Sequence, residues 1–271
     1  MKYAKFACIL LSTASISLAG CASDNESSAK WNTSDITSSS SIPVISERTS
    51  TALSKVSASD HDKAKSDINN VHTIRILSTA ANITVVGDPK LSQAQWELKD
   101  GKSSTMETTV SATINDNTLT IQLNSKQKNA LNTGPLPTLN VHVPIKDYET
   151  LEISNEFARI SLESKSALYP RNLVVSGSAS DITSSNVIGT ESSKLHTEFG
   201  KISYDLPEKL EALYVNLSTS MGSINNHVEL NEESESNQFV SKNVKGHIGS
   251  PKADSPTLQL STQVGKIELN R

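Results

Sequence analysis

The chain has 271 residues, with 25 Lys and Arg against 29 Asp and Glu, which gives a formal net charge of −4. That charge excludes the basic surface with which a protein follows nucleic-acid phosphates, so we expect no nucleic-acid partner. Ser and Thr together account for 67 residues, about a quarter of the chain, a composition typical of exposed strands and tethers.

Residues 1–20 have the layout of a secretory signal peptide. Two lysines precede the apolar run 6–11, and small residues follow it. Residues 18–21, LAGC, resemble the lipobox of bacterial lipoproteins, in which the Cys becomes the first mature residue and carries lipid. The alternative is an ordinary signal peptide with an unrelated Cys beside its cleavage site.

The lipobox resemblance implies that Cys21 is the lipidation site and that the membrane is one partner of the protein. Two or three acyl chains hold a protein on a bilayer without spanning it, so we expect a lipid-anchored protein of the bacterial cell envelope. Ala22 stands where an Asp would look like an inner-membrane retention signal, which favours the outer membrane in a two-membrane bacterium. Cys8 leaves with the signal, so we expect no internal disulfide and no thiol for catalysis or metal binding.

Residues 21–70 are predicted to form a flexible tether. Of the 49 residues from 22 to 70, 18 are Ser or Thr, and no apolar period is sustained. A random coil of this length spans roughly 40 Å. Alternatively, the apolar side chains at 31 and 42–45 dock on the domain or on a partner. The alternating charges at 60–63 favour a solvated segment or a short helical turn.

Beyond residue 70 the pattern predicts strands. Two β-rich runs cover residues 71–76 and 83–86, and alternation on both sides of a turn at 115–117 predicts a hairpin from 108 to 123. A loop is expected at 125–138, followed by a strand at 139–143. Because no long 3.6-residue period appears, the predicted class is all-β.

The C-terminal part contains an internal repeat. A six-residue frame, small-x-x-small-x-Ile, recurs about every 21 residues. It occupies residues 155–160, 177–182, 197–202, 219–224, 243–248 and 262–267, with a displaced copy at 78–83. Apolar residues usually stand seven and nine positions before the Ile. Each unit therefore reads as a strand with an inward apolar face, a tight corner and an inward Ile.

A unit of this length cannot bury its own apolar face, but stacked neighbours about 4.8 Å apart share a continuous core. A small residue is expected at each corner, because a Cβ there would clash with the next unit or forbid positive φ. We therefore predict a β-solenoid-like repeat of the parallel β-helix type, with coils of about 21 residues, preceded by the hairpin-containing region.

Several segments resemble the bacterial putative-adhesin β-strand-repeat domains of unknown function. They are 141–144 (VHVP), 199–202 (FGKI), 221–224 (MGSI), 245–249 (KGHIG) and 264–269 (VGKIEL). The resemblance implies an all-β, solenoid-like envelope domain over the C-terminal two-thirds of the chain. It also implies an adhesive role, although that label rests on fold resemblance.

Enzymes that act on polysaccharides also use parallel β-helices, and they need clustered carboxylates and aromatic platforms. Phe157 and Phe199 share one repeat position, which favours core or corner packing over a sugar platform. His196, His227 and His247 occupy different repeat positions, so they do not form a metal-binding column. We expect no catalytic residue, no metal and no cofactor.

The sequence thus predicts a lipid-anchored cell-envelope protein whose residues 71–271 form a non-catalytic binding or structural module for adhesion or scaffolding. The expected partners are the membrane, through Cys21, and an envelope protein or a glycan. The alternatives are a regulatory component of the envelope stress response and a polysaccharide-active β-helix enzyme. The acidic run 232–235 is expected to be a solvated loop between coils.

Overall fold

Alternating apolar and polar residues form strands throughout the computed structural model, which describes residues 55–56, 61–66, 70–100, 106–127, 135–238 and 240–271. Within these ranges all the regular secondary structure is β-strand, which confirms the all-β prediction. The strands are β1 (Lys55–Val56), β2 (His61–Ser66), β3 (Thr73–Ala80), β4 (Asn82–Asp88), β5 (Ala94–Lys99), β6 (Met106–Asn115), β7 (Thr118–Gln127), β8 (Thr138–Pro144), β9 (Thr150–Leu168), β10 (Asn172–Val187), β11 (Ser192–Asp205), β12 (Leu213–Asn226), β13 (Asn231–Gln238), β14 (Ser241–Ile248) and β15 (Thr257–Asn270). They form one mixed sheet. No helix that could cross a membrane occurs in the part of the chain described.

The predicted hairpin is confirmed. β6 and β7 pair antiparallel with Asn115 opposite Thr118, and the two turn residues Asp116 and Asn117 have positive φ values of 45° and 63°. Asn and Asp tolerate this conformation better than other residues with a Cβ, and it matches the twist of a two-residue hairpin. The strand predicted at 139–143 is also present, as β8.

Part of the predicted tether is paired in the structure. β1 pairs with β6 and β2 pairs antiparallel with β5, so residues 61–66 form a strand where a solvated segment or helical turn was expected. Backbone pairing to the edge of β5 supplies hydrogen bonds that composition alone does not indicate. The signal peptide 1–20, Cys21 and the tether residues 22–54, 57–60 and 67–69 lie outside the described residues.

The repeat copies align in register. We call β9, β10, β11, β15 and β12, in that spatial order, the parallel block; β3 and β4 continue it beyond β9. The final Ile of five of the six frames lies beside the next across the block, in the order Ile160, Ile182, Ile202, Ile267 and Ile224. The displaced copy at 78–83 also fits, since Ser78 pairs with Asn155 and Ile83 with Ile160.

Each long strand of the block changes its buried face at the corner. In β9, Leu151, Ile153 and Asn155 are buried before the corner, whereas Ile160 and Leu162 are buried after it. The inward positions change from odd to even numbers because the corner takes up one extra residue. Both halves of the strand therefore face the same core.

The strand order corrects two expectations. β15 lies between β11 and β12, so the copies do not stack in chain order, and the sheet is not closed. β14 is antiparallel to β12 and places Ile248 opposite Leu213 instead of beside Ile224. Its Gly246 makes no corner: a Cβ there would lie 2.9 Å from Leu230. This sheet does not show a solenoid of successive coils.

The acidic run 232–235 is also placed differently from the prediction. It belongs to β13, which pairs antiparallel with β14 and lies at the end of the strand order. Charged residues on such a strand discourage pairing with a further strand, which explains how an acidic segment can occupy a sheet edge instead of a loop.

Candidate functional site: an apolar ridge along the corners

In the frames of β9, β10 and β11, buried polar side chains fasten the corner from inside by hydrogen bonds to the backbone. Asn155 Nδ2 donates to the carbonyl oxygens of Ala81 and Phe157, at 2.9 and 2.7 Å. In the next units Ser180 Oγ donates to the Asn155 carbonyl at 3.1 Å, and Thr197 Oγ1 donates to the Ser180 carbonyl at 3.0 Å. These buried side chains satisfy carbonyl groups that the bend turns away from the strand ladder. The corners of β9, β10 and β11 are therefore fixed in geometry.

Glycine is required at three corners, as the sequence predicts. A Cβ on Gly200 would lie 2.3 Å from the Ser180 carbonyl oxygen, one on Gly222 would lie 1.7 Å from that of Gly265, and one on Gly265 1.8 Å from that of Gly200. Their φ values lie between 142° and 156°. Ala158 makes the equivalent turn with a φ of 92°, a conformation that costs a residue with a Cβ free energy.

In the five frames of the parallel block, the third residue points into solvent at the corner. Phe157, Ala179, Phe199, Val264 and Met221 are neighbours in this spatial order, and we call them the apolar ridge. The exposed fractions of Phe157, Phe199 and Met221 are 52, 54 and 54%. At about 4.8 Å per strand the ridge is roughly 20 Å long. The two Phe side chains thus lie at corners and outside the core. The sequence had predicted core or corner packing for them without deciding between the two.

Charged residues border the ridge on both sides. Glu156 and Glu198 stand immediately before the two Phe residues, on what we call the acidic flank. Arg159, Lys201 and Lys266 stand two positions after their ridge residues, on the basic flank. Because all the strands of the block run parallel, each flank continues along one side of the ridge.

The basic flank is partly neutralised by acidic neighbours. Lys201 and Lys266 both form ion pairs with Glu268, and these hydrogen bonds lower the pKa of the Glu268 carboxyl to about 2. Asp181 lies between Arg159 and Lys201 in the register, and its Oδ1 accepts from the Lys201 amide at 2.9 Å. Arg159 is the exposed cation of this flank with no ion pair among the described residues.

An open hollow of about 540 Å³ lies beside the ridge. It is lined by Asn82, Leu136, Ala158, Arg159, Ala179, Ser180, Asp181, Phe199 and Gly200. Asp181 is the one carboxylate in this lining, whereas glycoside hydrolysis uses a pair of carboxyl groups. The hollow therefore offers an apolar wall and two charged groups for binding, without the acid–base pair of a hydrolase.

The three histidines that the sequence singled out lie apart. His196 Nδ1 is 2.9 Å from Ser261 Oγ, and burial lowers the pKa of this imidazole. His247 lies on β14, and its Nδ1 is 3.0 Å from the Gly249 carbonyl oxygen, whereas His227 follows β12 with its side chain exposed. Within the described ranges no three His, Cys, Asp or Glu side chains converge as metal ligands.

Comparisons with known proteins identify the fold. A crystal structure titled as a putative cell adhesion protein from Clostridium sporogenes is similar over 78% of this chain and 98% of its own, with a TM-score of 0.51 at 10% identity. A structure titled as a putative adhesin from Bacteroides fragilis has the same coverage of both chains, a TM-score of 0.28 and 11% identity. No family model matches the chain, and no curated protein matches it. The first likeness shows the fold, and the family resemblance of the motifs stays a prediction.

Proposed function

We propose that this chain is a non-catalytic binding module of the bacterial cell envelope, used for adhesion or envelope scaffolding and anchored by lipid on Cys21. The apolar ridge is the observation that carries the proposal. Large apolar side chains held in line on a surface are typical of interaction sites. The putative cell adhesion protein from Clostridium sporogenes has a similar fold, which supports the same class of function.

The rigidity of the corners suits this role. Aromatic side chains contribute strongly to binding when their backbone is fixed, because less conformational freedom is lost on association. Buried hydrogen bonds hold the corner at Phe157 and at Phe199, where Thr197 Oγ1 also donates to the Phe199 carbonyl at 3.1 Å. Each long strand joins two halves at a corner, as one coil of a solenoid would. We therefore propose that the parallel block is a solenoid-like segment within the larger sheet.

A binding assay tests the ridge. The full chain, immobilised, is exposed to solubilised envelope fractions, and Phe199→Ser is compared with the wild type. Tyr169→Ser provides a matched control, because Tyr169 is 40% exposed and lies away from the ridge. We expect Phe199→Ser to lose most of the retained material while Tyr169→Ser retains it. Equal retention by both variants contradicts the ridge as the binding surface.

The anchor has its own test. Cys21→Ser removes the lipid attachment site, so we expect the protein to move from the membrane fraction to the soluble fraction and to take up no labelled fatty acid. Unchanged membrane partition in the Cys21→Ser variant rules out the lipoprotein interpretation. The location in the outer membrane, proposed from Ala22, is tested by separating the two membranes of the same cells.

The enzyme alternative is tested with a panel of polysaccharides. We expect no cleavage, because the hollow beside the ridge contains one carboxylate. Reproducible cleavage that Asp181→Asn abolishes overturns the non-catalytic proposal and assigns the activity to this hollow.

A further inference from the structure

The sequences around the two ridge Phe residues share one charge pattern. Residues 156–159 read Glu-Phe-Ala-Arg and residues 198–201 read Glu-Phe-Gly-Lys. In each, an acid stands on one flank of the ridge and a cation on the other. Neither Glu156 nor Arg159 forms an ion pair within the described part of the chain, and both are exposed. These two charges are therefore available to a partner.

The pattern is complementary to itself in one orientation. If a second copy is related by a twofold axis along the ridge, its flanks exchange sides, so the acidic flank of one copy faces the basic flank of the other. Glu156 then faces Arg159 of the second copy, and Glu198 faces its Lys201. A twofold axis across the ridge would instead bring like flanks together, which repel.

The same twofold axis places the remaining charged flank residues opposite uncharged residues of the second copy. Asp181 faces Ser178 of the second copy, and Lys266 faces its Gln263, so no pair of like charges arises on these strands. Each ridge residue meets its own equivalent, which brings Phe157 against Phe157 and Phe199 against Phe199. Aromatic pairs of this kind add binding energy beyond the apolar area they cover.

We propose that the apolar ridge binds the ridge of a second copy of this chain, face to face and in register, with Glu156 paired to Arg159 across the contact. The partner in the adhesion proposed above is then another molecule of the same protein, on the same cell or on a facing one. This inference rests on the proposed function and names its partner.

The size of the ridge predicts a weak contact. The ridge is roughly 20 Å long, and the four residues from acidic to basic flank span about 13 Å of extended chain. Two copies together would bury about 500 Å², below the range of stable complexes. Single contacts of this kind become effective when many copies are held on one surface, as an envelope anchor would hold them.

Sedimentation velocity of the full chain carrying Cys21→Ser tests the proposal without lipid, over concentrations from about 1 µM to about 1 mM. We expect a monomer–dimer equilibrium in this range. Glu156→Arg makes both flanks basic at this strand and Arg159→Glu makes both acidic, so each variant should self-associate about tenfold more weakly. An equimolar mixture of the two variants should regain dimer, because opposite charges then meet. Lys194→Glu, an exposed charge reversal on β11 away from the corner, should change nothing.

Cysteine cross-linking tests how the two ridges align across the contact. Since each ridge residue meets its equivalent, Phe199→Cys in the same background should be joined to itself by a short bis-maleimide, whereas Tyr169→Cys, which is 40% exposed and lies away from the ridge, should not. A chain that stays monomeric throughout, or charge variants that associate as the wild type does, overturns the proposal. If the monomeric chain still retains envelope material through Phe199, self-association fails while the binding function stands.

Discussion

The glycine corners allow one sharp test of the architecture. Gly222→Val places a Cβ 1.7 Å from the Gly265 carbonyl oxygen, well inside van der Waals contact. Ser223→Val puts the same side chain one residue further along β12, at a partly exposed position. The two variants differ in whether the new side chain enters the space between two corners.

Two contributions make up the expected loss of unfolding free energy in Gly222→Val. A residue with a Cβ held at the φ of 156° found for Gly222 costs about 1–3 kcal/mol. Separating β12 from β15 at the corner weakens one or two strand hydrogen bonds, at about 0.5–1.5 kcal/mol each. We therefore expect Gly222→Val to lose about 2–6 kcal/mol of unfolding free energy, and Ser223→Val to change it by less than about 0.5 kcal/mol.

Thermal unfolding followed by circular dichroism measures this difference. For a domain of this size, about 2–4 °C of melting temperature corresponds to 1 kcal/mol, so Gly222→Val should melt roughly 10 °C lower than the wild type. Denaturant unfolding with unchanged m-values would show that the loss is one of stability. Equal melting temperatures for the two variants would refute the placement of Gly222 at a corner against Gly265.

Three further measurements follow. Ile202→Ala should cost about 2–5 kcal/mol because Ile202 is fully buried, whereas Phe199→Ala, at an exposed ridge position, should cost less than about 1 kcal/mol in denaturant titrations. Burial raises the pKa of the Tyr204 phenol, which donates to the Val187 carbonyl at 2.6 Å; stability should therefore fall as pH rises above about 10, and Tyr204→Phe should weaken that fall. The pKa of Glu268 is lowered to about 2, so its contribution is present above about pH 4.3 and lost toward pH 2; Glu268→Gln should flatten this part of the acid-unfolding curve.

The corner register could be predicted because its determinants are local. Each frame carries an inward Ile and a small residue at a fixed distance, and the in-register pairing of Ile160, Ile182 and Ile202 follows from stacking like positions. The same reasoning failed for residues 243–248. There Gly246 makes room for Leu230 instead of turning the chain, a distinction that depends on a neighbour the motif does not contain.

The strand order and the ridge could not be obtained in the same way. Copies with the same frame pair equally well with one another, so the motif cannot specify that β15 lies between β11 and β12. The ridge did leave a signal: the third position of five frames is apolar although it stands out of step with the inward Ile that follows the corner. The shared repeat position of Phe157 and Phe199 was recognised from the sequence. The small Ala179 between them made it hard to see that the apolar row is continuous.

The position of β15 constrains how the protein can be synthesised and folded. β12 to β14 leave the ribosome before β15, yet β12 joins the block through β15. Until β15 is made, β11 ends a growing sheet with an open edge, and β12 has one side without its partner. Both edges carry the same apolar spacing, so during folding each can accept the wrong strand, from this chain or from another. A chain that stays unfolded until β15 has emerged would avoid this error.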